Sequence, residues 1–112
     1  MATIKTADTK FLYSYKYDLA DTIVYMTSPD YKNRFLGEFL QLAIRLEKLL
    51  NMLEKWDKGL LDFEPTCSKH ILVQQAKAMS DYVQILMDRA KIEGITLPVP
   101  VANPEIQSER TK

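Results

Sequence analysis

Residues Phe35–Trp56 read FLGEFLQLAIRLEKLLNMLEKW. Within this stretch Phe35, Phe39, Leu42, Leu46, Leu49, Leu53 and Trp56 recur at intervals of 4, 3, 4, 3, 4 and 3. That spacing samples one face of a helix, whereas a strand would need a period of two. A second stripe follows at Leu72, Ala76, Met79, Val83, Leu86 and Ala90. Two such helices joined by a short connection fold back on one another and bury their stripes. The fold class is therefore mainly α: a long antiparallel two-helix hairpin.

Punctuation sets the limits. Ser28-Pro29-Asp30 is a helix start, with Ser28 as cap, Pro29 at the first position and Asp30 at the positive end of the dipole. Gly59 suits the end of the first helix, and Gly94 that of the second, which begins near Cys67 or Ser68. The expected helices cover about 29–58 and 68–93 within a hairpin spanning 28–94. Gly37, inside the first helix, costs about 1 kcal/mol relative to Ala and marks a close backbone approach. Residues 1–27 form an N-terminal aromatic segment that supports two readings. Tyr13, Tyr15 and Tyr17 followed by the β-branched run Thr22–Thr27 suggest a β-hairpin, while Phe11, Tyr15, Leu19, Ile23 and Met26 share a helical face. Residues 95–112 form an extended, Pro-rich C-terminal tail that becomes disordered, because Pro98 and Pro100 forbid helix.

Composition narrows the function. The 112 residues carry 15 basic and 15 acidic side chains, a balance that argues against generic binding to a long nucleic acid. No run approaches the ~20 apolar residues of a membrane span, and no basic-then-apolar leader opens the chain. Cytoplasm, with no membrane partner, is the expectation. Cys67 is the sole cysteine and His70 the sole histidine. Neither makes a metal site, which needs further ligands, nor a nucleophile–base pair, which lacks an orienting third group. No catalytic residues, metal or cofactor are expected.

An ideal antiparallel hairpin brings Glu38 near Arg89, Arg45 near Tyr82 and Met52 near Gln75. Gln75 lies near the centre of the second helix's apolar arc, and Arg34 and Arg45 flank the first stripe. In the structural reading Glu38 pairs with Arg34 and Arg89, and Gln75 bonds a loop carbonyl. In the functional reading Arg45 and Arg89 fork onto phosphates while Tyr82 or Trp56 stacks on a base. The candidate ligand-binding residues are Arg34, Arg45, Gln75, Tyr82 and Arg89. Each apolar arc covers about 200°, more than one partner helix can hide. Leu36, Leu40 and Ile44 on the first helix, and Ile71, Ile85, Ile92 and Met87 on the second, lie off the paired line. The aromatic segment covers part of this surface, and a second copy of the chain is expected over the rest.

Tyr31-Lys32-Asn33-Arg34 running on to Arg45–Leu49, with Leu72, Gln75, Met79, Tyr82, Leu86 and Arg89 on the second helix, resembles small helical-hairpin proteins of bacteriophages and prophages, including a crAss-like phage group. More distantly, the Gln/Met/Arg arrangement is similar to phage anti-CBASS sponges. The resemblance covers residues 31–94. It implies a non-enzymatic homo-oligomer in the host bacterial cytoplasm that captures a cyclic-nucleotide immune signal in pockets between subunits. Tyr82 and Arg89 lie on the matched pattern, and Arg45 is added by geometry. The alternative is a protein–protein inhibitor or adaptor that blocks a host defence protein through an exposed apolar helical face.

Overall fold

The computed structural model describes residues 17–98. A 3-10 turn at Leu19–Thr22 leads into one turn of helix, α1, at Ile23–Met26. Two long helices follow, α2 at Tyr31–Asp57 and α3 at Lys69–Glu93, packed as the expected hairpin.

The N-terminal segment departs from the β-hairpin reading. Its expected second strand, Thr22–Thr27, is helical through Met26. The cause is local. Asp18 accepts from the Asp21 amide at 3.1 Å while Asp21 accepts from the Asp18 amide at 2.8 Å, a reciprocal cap that starts a helical turn where a strand turn was expected. The Thr22 hydroxyl then donates to the Leu19 carbonyl at 2.7 Å and is fully buried. The expected first strand lies, apart from Tyr17, outside the described residues.

Both helix starts are capped. Asp30, rather than Ser28, caps α2 and accepts from the Lys32 amide at 3.1 Å. Ser28 sits one step back, where its hydroxyl accepts from the Asp30 amide at 3.0 Å and from the Asn33 side chain at 3.2 Å. Pro29 therefore precedes the helix. Ser68 caps α3 by accepting from the Ile71 amide at 3.2 Å. At the other ends Gly59 and Gly94 have φ of +70° and +71°, as expected. The amide of Leu60 returns to Lys55 and that of Ile95 to Ala90, both at 2.8 Å, which closes each helix.

Gly37 is a true close approach. A Cβ there would stand 2.9 Å from the Met26 amide nitrogen and 3.0 Å from the Tyr25 Cβ. α1 thus lies directly on α2, which is wedged between α1 and α3. Phe35, Phe39, Leu46, Leu50, Val83, Leu86 and Ala90 form the core between the long helices. Leu40, Ala43 and Ile44, off the heptad line, are fully buried as well. Ile95 closes the core beyond α3 and Leu97 packs against it, so the first residues after Gly94 belong to the folded unit.

A candidate site at the open end of the hairpin

The end of the hairpin opposite the α2–α3 connection gathers aromatic and charged side chains from both helices. Tyr31 starts α2, and its hydroxyl donates to Glu93 Oε1 at 2.7 Å. The Tyr31 hydroxyl oxygen itself accepts from Arg89 Nη2 at 2.8 Å. Arg89 Nε donates to Glu93 Oε2 at 3.2 Å, one turn along α3. The guanidinium lies over the Phe35 ring, 5.0 Å from its centroid, and Phe35 meets Tyr31 edge to face at 6.4 Å. Toward the middle of the hairpin the Tyr82 hydroxyl donates to the Glu38 carboxylate.

These contacts shift the acidities in consistent directions. The hydrogen bond to Glu93 raises the Tyr31 hydroxyl above its ordinary value, against the lowering influence of Arg89. The Tyr31 hydroxyl in turn, with Arg89 behind it, holds Glu93 below the usual carboxylate range. Arg89 is raised, chiefly by its hydrogen bond to Glu93. Tyr82 is raised by its bond to Glu38. The site therefore offers the Arg89 guanidinium, the Glu38 and Glu93 side chains and two phenols against an aromatic wall. That set can stack on a ring, accept from ring N–H groups and donate to an anion. It holds no nucleophile–base pair. Among the described residues no group of three or more His, Cys, Asp and Glu side chains is placed to bind a metal ion.

Of the five residues expected from sequence, only Tyr82 and Arg89 enter this cluster. Arg34 is turned away, donating to the Ser28 carbonyl at 2.9 Å. Arg45 is exposed on the solvent side of α2. Gln75 is not at the centre of the buried arc, which runs through Ala76, Val83, Leu86 and Ala90. It is exposed, with its amide 3.7 Å from the Met79 sulfur. The expected pairings of Glu38 with Arg34 and Arg89 are likewise replaced. Tyr82 meets Glu38 instead of Arg45, and Arg89 meets Tyr31 instead of Glu38. Each α3 residue finds its partner two turns nearer the start of α2 than expected. Near the connection Lys69 pairs with Asp57, close to the expected register. Tyr31 and Glu93 are the members that sequence reasoning missed. Their signal was present, because an ideal hairpin places the first residue of α2 beside the last turn of α3.

The fold and this cluster define a small helical-hairpin protein with an aromatic, charged binding surface. A family model described as Sequestin matches residues 29–92, more than half of the chain and all of the two long helices but Glu93. The chain belongs to the Sequestin family, whose name denotes sequestration rather than catalysis. No curated protein and no solved structure matches it. Among the described residues no helix is long and apolar enough to cross a membrane.

Proposed function

We propose that this protein is a phage-encoded, non-enzymatic anti-defence protein that binds and holds a cyclic-nucleotide-type immune signal. Membership of a family named for sequestration, matched across the helical hairpin, carries the reading. The open-end cluster supports it, with Tyr31, Phe35 and Tyr82 as ring-stacking surfaces, Glu38 and Glu93 as acceptors for base N–H groups and Arg89 as phosphate donor. Because Arg89 and Tyr82 are already bonded to carboxylates, an anionic ligand must displace or share those contacts. Selectivity for a ligand with both ring donors and phosphates follows from that competition.

In the same reading the site is completed by a second copy. Along α3, Ile71, Gln75, Ala78, Tyr82, Ile85, Arg89 and Ile92 repeat the 4, 3 spacing on the flank beside the face packed on α2. Ile71, Ile85 and Ile92 are 51%, 56% and 83% exposed. Pairing of two such stripes buries the isoleucines and sets Gln75, Tyr82 and Arg89 of both copies along one seam. Arg45 and Arg34 stand outside it.

The test is a thermal-shift panel of cyclic di- and trinucleotides and cyclic ADP-ribose isomers. One ligand is expected to raise Tm strongly while most do not, since a ligand bound only by the folded state stabilises it. A flat panel defeats the proposal. The exposed α3 isoleucines also favour a second reading, a protein–protein inhibitor of a host defence enzyme. A stoichiometric host protein retained in pull-downs, together with a flat panel, selects that alternative.

A further inference from the structure

A cleft of about 320 Å³ lies at the other end of the molecule, between α2 and the connection to α3. That volume falls in the range of small-molecule sites, roughly 300–1,000 Å³. Lys48, Asn51 and Lys55 of α2 form one wall, and Leu60, Asp62 and Phe63 of the connection contribute to the other. Lys48 and Lys55 stand seven residues apart, two helical turns on one face. Lys58, Lys69, Lys77 and Arg89 each have a carboxylate within hydrogen-bond reach. Lys48 and Lys55 have no ion-pair partner among the described residues, although Asp62 shares the cleft with them. Two cations face one carboxylate, so the cleft keeps a positive surplus, and its concave apolar rim focuses that field. Phe63 and Leu60, 55% and 64% exposed, give the cleft an accessible aromatic face and an apolar edge. The loop is held in place by the Leu60 amide on the Lys55 carbonyl and by Gly59 in the left-handed conformation.

We infer that this cleft is a second binding site, for a small organic phosphate bearing a flat ring, with phosphate on Lys48 and Lys55 and the ring against Phe63. Asn51 and Asp62 supply the polar contacts that orient it. The site is independent of the open-end cluster. Glu38 and Lys48, the nearest α2 residues of the two sites, are separated by about 15 Å of helix at 1.5 Å per residue, more than the length of a mononucleotide.

Calorimetric titration of the full chain with AMP, adenosine and pyrophosphate separates charge from ring. AMP is expected to bind more tightly than either fragment. The double variant Lys48→Gln/Lys55→Gln is expected to weaken AMP at least tenfold. Phe63→Ala is expected to weaken AMP while leaving pyrophosphate unchanged, and Arg89→Gln to leave AMP unchanged. These exposed positions leave the core intact, which far-UV circular dichroism checks. No heat from any of the three probes at millimolar concentration overturns the inference, as does AMP binding indifferent to the lysine pair. AMP binding lost in Arg89→Gln but kept in the lysine variant also overturns it, while leaving the open-end reading standing.

Discussion

The two long helices have nearly equal lengths and similar apolar periodicity, yet they are buried very differently. On α2 the buried positions run from Leu42 and Phe35 through Phe39 and Leu46 round to Leu40 and Ile44, an arc of about 200° at 100° per residue. On α3 they are Ala76, Val83, Leu86 and Ala90 alone, an arc of about 80°. The difference comes from neighbours rather than composition. Among the described elements α2 packs closely on α3 on one side and on α1 on the other, whereas the close packing of α3 is with α2. A surface that looks equally greasy in sequence is therefore core on one helix and exposed on the other.

The comparison breaks most visibly in truncations. Leu46→Ala on α2 is expected to cost about 2–5 kcal/mol, since it leaves a cavity in a fully packed core. Ile85→Ala on α3 is expected to stay within about 0.5 kcal/mol for the isolated chain. Urea midpoints measured at low protein concentration give both values, and equal losses would end the distinction. Gly37→Ala follows. The added methyl meets the α1 backbone, and overpacking of about 1–3 kcal/mol outweighs the ~1 kcal/mol gain in helix propensity. A stabilised Gly37→Ala variant would show that α1 does not press on α2.

The exposed face of α3 is sharpened by Ile85→Lys. Sedimentation is expected to show self-association in the parent chain and none in this variant, with secondary structure unchanged. A parent chain that sediments as a monomer at high concentration removes the proposed seam. The smallest expected effect concerns Arg89, Glu93 and Tyr31, which are exposed to solvent and screened by salt. Glu93 is held below the ordinary carboxylate range, so its contribution is present above that range and lost as pH falls through the lowered value. Tyr31 is raised, so its contribution is present below the ordinary tyrosine range and lost as pH rises through the raised value. Tyr31→Phe is expected to flatten both limbs of the stability–pH profile at low salt, and an unchanged profile would show that this cluster does not respond to folding.

Much of the site was hidden in sequence for a definite reason. The expected pairs came from carrying one ideal register along both helices, which holds at Lys69–Asp57 near the connection but not at Tyr82–Glu38 and Arg89–Tyr31, whose partners lie one seven-residue repeat nearer the start of α2. Tyr82 and Arg89 were legible because they lie beside the α3 stripe. Their partners were misplaced by that one repeat, so Tyr31 and Glu93 went unnoticed. Gln75 was placed a short rotation too far inward, which moved it from solvent to core. Asp18 and Asp21 lie where a β-hairpin would turn, and their two carboxylates cap a helical turn instead.

By itself the sequence determined two helices, their closing glycines and the close approach at Gly37. All of these depend on the conformational preferences of single residues and on a local period. The tertiary structure alone decided which off-line apolar residues are hidden and which meet solvent. It also decided which charges on the two helices meet. Those outcomes depend on where separate elements come to rest against one another, and no local propensity encodes that distance.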